Sequence, residues 1–206
     1  MPPAGAPPAI LALVIAIAAI EGILSAAGAG YILYPGLRED AFILGAFQGP
    51  LLDGIPPVYS GQPAVMFVSH AFLHANLIHM LLNMAVLLAL GKLVAERAGA
   101  PRSLALFVAT AITGAAAQVL IGGYEVLMIG ASGAVFGFIG TWKCWEWMAR
   151  RAAGLPMGPL WTSLLVLAGI NVPLFFMLGG ALAWEAHLGG FVGGWLLAPF
   201  LRRHAG

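Results

Sequence analysis

Charge is scarce in this chain. Asp, Glu, Lys and Arg supply 8% of its 206 residues, against about 25% in a soluble domain, which excludes a water-bathed surface over most of the fold. Cysteine is nearly absent. The one residue, Cys144, rules out an internal disulfide framework and a multi-cysteine metal site, and is expected to pack among the aromatics of TWKCWEW. A formal net charge of +1 leaves no basic excess to attract nucleic acid, so none is expected as a partner. The opening stretch MPPAGAPPAI has no Lys or Arg. The apolar run after it therefore lacks the basic flank of a signal peptide and is expected to remain as a helix. No internal repeat and no low-complexity tail is found.

What the chain does hold is hydrocarbon: 61% of its residues are hydrophobic. A bilayer core needs about 20 apolar residues per helix, and six stretches approach that length, Ala9–Gly28, Phe67–Leu90, Leu104–Ile121, Leu127–Trp147, Leu160–Leu178 and Ala183–Leu201. The fold class expected is all-α, a polytopic membrane protein with six transmembrane helices, its partner the lipid bilayer. Residues 1–206 read as one membrane domain, with the Pro-rich segment 29–66 as a long outer loop that holds short helices at most and lies on or dips into the membrane surface. Eight of the nine Lys and Arg residues fall on one side of such a bundle. Lys92, Arg97 and Arg102 lie between the second and third spans, Lys143, Arg150 and Arg151 between the fourth and fifth, and Arg202 and Arg203 after the sixth. The positive-inside rule makes that side, with both termini, cytoplasmic. Small size and Ala/Gly-rich composition fit a bacterial inner membrane.

Polar side chains inside a membrane are functional candidates, because a charge at mid-bilayer costs about 2.5–3.5 kcal/mol on insertion scales. Glu21 lies in the first span, His79 and Asn83 in the second, Gln118 in the third, Ser132 in the fourth, and Glu185 and His187 open the sixth. The second, fourth and sixth spans all start outside. His79, Asn83, Ser132 and His187 are therefore expected in one slab in the outer half of the membrane, with Ser132 about one turn below its helix end. His79 and Asn83, spaced i, i+4, share a face. Glycines let the helices of Ser132 and His187 approach closely: Gly133 and Gly137 in one, Gly189, Gly190, Gly193 and Gly194 in the other.

Acyl transfer is the chemistry these groups support. A serine hydroxyl needs a neighbouring base, which His187 can supply. The oxyanion needs preorganised donors, for which His79, Asn83 and the Ser132 backbone N–H are candidates. No carboxylate is placed to orient the base, so the arrangement reads as a dyad, with Glu185 at the outer surface. A water-filled cavity open to the outside and lined by His79, Ser132 and His187 is expected.

These motifs resemble the rhomboid family of intramembrane serine proteases. GASGAVFG is similar to the family's GxSGxxxG motif, which implies Ser132 as nucleophile. AHLGGFVGG is similar to its AHxxGxxxG motif, which implies His187 as general base, with Gly190 and Gly194 at packing positions. HAFLHANLIHMLLN resembles its HxxxH…HxxxN stretch, which implies His79 and Asn83 as oxyanion donors. Phe136 stands where the family has an aromatic residue against the catalytic histidine. The resemblance implies a transmembrane protein substrate, locally unwound at the cleaved bond, and neither cofactor nor metal. One departure stands out: Val65 and Met66 follow Gly61 and Gln62 where the family commonly carries Trp-Arg, so that pair's anchoring of the loop does not carry over.

Blander readings compete at each position. Ser132 alone is an ordinary helix-packing residue, and His187 or the His79/Asn83 pair are hydrogen-bonding residues between helices. His70 and His74 have the spacing of a metal pair, but read better as hydrogen-bonding residues that hold the outer loop. Glu21 reads as a buried, protonated helix contact, Gln118 as bonded within the bundle, and Asn171 with Pro173 as a kink. Two other functions are open: a catalytically silent relative that binds or delivers membrane proteins, and a small-solute transporter using Glu21 and the histidines. The second lacks an inverted repeat or a charged pathway.

Overall fold

The computed structural model describes residues 7–177 and 182–201, apart from the side chains of 173–177. Among them are eight α-helices: α1 (Pro8–Gly28), α2 (Leu37–Gly45), α3 (Gln62–Ser69), α4 (Leu77–Ala98), α5 (Ala100–Gly122), α6 (Ser132–Ala152), α7 (Gly158–Met177) and α8 (Trp184–Leu201). Two-residue strands, β1 (Phe47–Gln48) and β2 (Leu127–Met128), pair antiparallel, with Phe47 opposite Met128.

The expected second span is broken. Where one helix was expected over Phe67–Leu90, the chain forms α3, a 3₁₀ turn at His70–Phe72, and then α4. Asn76 is the cause. It adopts extended backbone, and its side chain accepts the His79 amide proton at 2.9 Å, a helix N-cap in a run that hydropathy alone reads as continuous. His70 and His74 therefore precede α4. At its other end α4 continues to Ala98, so Lys92 and Arg97 are helical and Gly99 alone separates α4 from α5, at a φ of +89° that favours glycine. Other spans shift less. The fourth begins at Ser132 rather than Leu127, the fifth is described to Met177, and Leu178, Gly179–Ala181 and Arg202–Arg203 lie outside the described residues.

Helix directions are fixed by contact. A Cβ on Gly91, late in α4, would lie 2.8 Å from Ile10 at the start of α1, whereas Glu21, late in α1, is joined through Arg38 to the His74 carbonyl before α4. These two helices run antiparallel. α6 and α8 run parallel and almost without side chains between them: a Cβ on Gly190 would lie 1.9 Å from the Gly133 carbonyl oxygen, and one on Gly194 1.9 Å from that of Gly137. Further along, Thr141 Oγ1 donates to the Gly194 carbonyl at 2.9 Å and Trp145 Nε1 to that of Ala198 at 2.8 Å. α6 is the central helix, with Phe138, Cys144 and Trp145 buried in the main core.

Among the described residues three helices, α1, α4 and α5, are long and apolar enough to cross a membrane, and Gly158–Val172 of α7 is a shorter apolar stretch. The molecule is an integral membrane protein. α6 carries Lys143, Glu146, Arg150 and Arg151, and its Lys143 ammonium pairs with Glu146 at 3.0 Å over the Trp142 ring.

Outside the bundle, 29–66 contains α2, a 3₁₀ turn at Gly49–Leu52 and the start of α3, with Leu33, Ile43, Leu44, Ile55 and Val58 exposed. It is tied down by charge. Arg38 of α2 reaches Glu21 of α1 at 2.8 Å and the His74 carbonyl at 2.8 Å, and Ser25 donates to Glu21 at 2.7 Å. Glu21 is fully buried. The expected burial holds, but the partner differs from the helix contact expected: Glu21 forms an ion pair with Arg38 of α2, 17 residues on.

Candidate active site

The site is assembled around the head of α6. The entry to α6 is the strand Leu127–Met128 followed by a bend at 129–131, held by the β1 pairing, by Gly49 N–H donating to the Val126 carbonyl at 2.9 Å, and by Gly130 N–H donating to the His70 carbonyl at 2.9 Å. Gly130 has φ +117°, where a side chain is strained; its Cβ would also stand 2.8 Å from the His79 ring. Ala131 N–H donates to His74 Nε2 at 3.3 Å, and Val135 N–H makes the first helical bond, to the Ala131 carbonyl, at 2.9 Å. Ser132 is thus the first residue of α6, not one turn inside it. Its N–H has no intrahelical acceptor and lies at the positive end of the helix dipole.

His79 stands in the first turn of α4 beside this entry. The Cβ position of Gly130 is 3.0 Å from His79 Nε2 and 3.9 Å from Ser132 Oγ, so imidazole and hydroxyl flank the same glycine. The His74 ring packs edge-on against it, centroids 5.0 Å apart. Asn83 is buried, and its amide donates to the His79 carbonyl at 2.9 Å, which leaves the second amide N–H as its remaining donor.

His187 lies in the first turn of α8. Its ring stacks on Phe136 with centroids 4.1 Å apart and 8° between planes, and its Nδ1 meets Asn171 Oδ1 of α7 at 2.8 Å. The Gly133–Gly190 contact brings the helices of Ser132 and His187 together one turn below. Among the described residues no hydrogen bond joins Ser132 Oγ to His187, His79 or Asn83; such bonds are often long in unliganded sites and tighten on substrate. A cavity of about 570 Å³ between α6, α7 and α8 reaches His187 and Asn171, walled by Phe136, Leu164, Leu167 and Phe191. It differs from the shared polar cavity expected, because neither His79 nor Ser132 lines it.

Sequence reasoning missed Asn171 as a site residue. Its signal is a single amide in the apolar run LAGINVPLFF, which beside Pro173 fits a kink equally well. Gln118 is buried, and its Oε1 has no hydrogen-bond partner among the described residues.

His70 and His74 precede the membrane-spanning part of α4 and build the floor of the entry segment. His70 Nδ1 donates to the Met66 carbonyl at 2.9 Å. Burial pushes its pKa down to about 4, partly opposed by that carbonyl. Burial, and then the neighbouring His79, push His74 down to about 4 as well. Both fold as neutral rings, whereas the unfolded chain takes up their protons near the usual 6.5. Their contribution is complete above that value and is lost as pH falls toward about 4. At pH 5 each is expected to cost on the order of 2 kcal/mol. The thermal midpoint of detergent-solubilised protein should fall between pH 7.5 and 5, and His70→Gln should flatten the dependence. A midpoint indifferent to pH in this interval contradicts it.

Comparison with known proteins bears on this geometry. A family profile described as "Rhomboid domain" matches residues 62–204. The chain is 36% identical over 140 residues to the rhomboid protease GlpG of Serratia proteamaculans (strain 568), an alignment covering 67% of this chain and 48% of that protein. To the rhomboid protease GlpG of Yersinia pestis (strain Pestoides F) it is 34% identical over 134 residues, 64% of this chain and 46% of that one. The chain spans about half the length of the curated relatives it matches.

Proposed function

From the premise that this chain belongs to the rhomboid family, we propose that it is an intramembrane serine endopeptidase. It hydrolyses a peptide bond in or next to the transmembrane helix of another membrane protein. The observation that carries the reading is the head of α6, where the Ser132 hydroxyl, its own unpaired N–H and the His79 imidazole surround Gly130. A serine used only for packing has no need of a glycine-held polar entry.

Ser132 Oγ attacks the substrate carbonyl carbon while His187 Nε2 takes its proton, giving a tetrahedral oxyanion. The Ser132 N–H, His79 Nε2–H and the free Asn83 N–H donate to that oxygen. As the intermediate collapses, His187 returns the proton to the departing amine and the C–N bond breaks. Water then attacks the acyl-serine, His187 takes its proton and passes it to Ser132, and the acid leaves. A helical substrate hides its carbonyls, so the bond attacked must lie where that helix unwinds. No metal or cofactor enters these steps.

The same reading gives six crossings with both termini cytoplasmic. It is supported by the antiparallel α1 and α4, the parallel α6 and α8, and Arg97 lying 5.4 Å over Trp145, which joins the basic ends of α4 and α6. The site then opens to the non-cytoplasmic side, in a bacterial inner membrane.

Labelling of detergent-purified protein by a fluorescent fluorophosphonate tests the function. Wild type is expected to label, and Ser132→Ala and His187→Ala to fall below detection. Folded wild type that neither labels nor cleaves a helix-unstable transmembrane substrate in liposomes would instead be a silent relative that binds or delivers membrane proteins.

A further inference from the structure

A dyad leaves the base unsupported: with no carboxylate beside it, nothing in the sequence reading fixes which imidazole nitrogen of His187 carries the proton. That choice decides whether the ring works as a base toward Ser132, since only a bare Nε2 accepts the hydroxyl proton. The structure holds a group that makes the choice. Asn171 Nδ2 lies 2.8 Å from the Leu167 carbonyl oxygen, and that oxygen only accepts. The amide is thereby oriented with its NH₂ along α7 and its Oδ1 toward α8. Oδ1 also only accepts, so at 2.8 Å from His187 Nδ1 it requires a proton on that nitrogen. Nε2 is left bare. Phe136, stacked on the ring, holds the plane that the hydrogen bond alone leaves free to tilt.

We infer that Asn171 is a positioning residue for His187, making the machinery a Ser132–His187–Asn171 triad in which an amide oxygen orients the base. The inference deepens the protease reading and rests on His187 being its base. The setting favours an amide. Leu164, Leu167, Ala168 and Val172 surround this contact with apolar wall, where a neutral acceptor costs far less to hold than a second ionised group. The base is also tied to α7, a helix exposing Leu165, Val166, Ile170 and Val172, and is set only while α7 lies beside α8.

The test uses full-length protein in detergent. Asn171→Leu keeps the volume and removes the acceptor; Asn171→Asp keeps an oxygen at the same place. The fluorophosphonate labelling rate is expected to fall roughly 10- to 100-fold in Asn171→Leu, a fraction of the general-base contribution. kcat should fall with KM unchanged for a transmembrane substrate, and Asn171→Asp should recover most of the loss. A second measurement is independent of turnover. In ¹⁵N-histidine-labelled wild type, the His187 signal, assigned by its absence in His187→Gln, should show a protonated Nδ1 and a bare Nε2. Asn171→Leu should redistribute the two tautomers. Wild-type labelling in Asn171→Leu, or an Nε2-protonated His187 in the native protein, overturns the inference while leaving the protease intact. Failure of wild type itself to label refutes the protease reading instead, and the spectrum still decides the Asn171 contact.

Discussion

Gly190→Ala is expected to reduce labelling of Ser132 by about 100-fold or more and to lower the thermal midpoint, although the change adds a single methyl group. That methyl would stand 1.9 Å from the Gly133 carbonyl oxygen and 2.7 Å from its carbon, with the Gly133 Cα at 3.2 Å. Nothing flexible is present to yield, because the opposing atoms are the backbone of α6. The helices must separate, and His187, one turn before Gly190, moves with α8. A misplacement on the order of 1 Å at a reacting group costs about 10²-fold in rate, and forced overpacking costs roughly 1–3 kcal/mol of stability. Gly22→Ala in α1 is the control: its Cβ meets nothing within 4 Å, so activity and midpoint should hold. If Gly190→Ala labelled like wild type, the contact would not govern the site.

Arg38→Ala should be the most damaging change in the outer segment. Glu21 is fully buried, with Arg38 and Ser25 as its partners. Removing the guanidinium strands a buried carboxylate, which costs about 3–5 kcal/mol in pairs of this kind. It also frees the His74 carbonyl that Arg38 holds at 2.8 Å, so the turn before α4 loosens and His79 with it. Adding Glu21→Gln should recover much of the stability, since an amide needs no counter-charge. The double-mutant cycle then returns a coupling well above the roughly 0.5 kcal/mol scatter of independent sites. Additive losses would show that the two groups do not act as a pair. Arg38 thus ties the outer segment to α1 and to the turn before α4.

How far the sequence carried the reading depended on the range of each interaction. Helix existence was legible because hydropathy sums over many residues. The glycine faces of α6 and α8 were legible as spacings, and Phe136 meets the histidine named for it. Boundaries failed where local hydrogen bonding overrode hydropathy: Asn76 caps α4 in the middle of an apolar run, and the β1–β2 pairing holds Leu127–Met128 as strand, so that α6 begins only at Ser132. Partnerships between distant elements were invisible. Nothing local links Glu21 to Arg38, or Asn171 to His187 sixteen residues away across a turn. Glu21 and Asn171 stand out as polar residues in apolar runs, and neither could be paired until the helices had positions.

The backbone seating of α8 on α6 has a consequence for biosynthesis. α1, α4 and α5 are apolar enough to partition into lipid singly. α6, with Lys143 and Glu146 along its length, and α8, with four glycines after His187, gain less from lipid alone. Their seats are on neighbours: Gly137 of α6 lies against Thr110 of α5, and Gly189 of α8 against Thr113 and Ala117 of α5. Because α5 leaves the ribosome before α6, and α6 before α8, each weakly partitioning helix emerges after the surface that receives it. The order of translation is also the order in which the contacts become available.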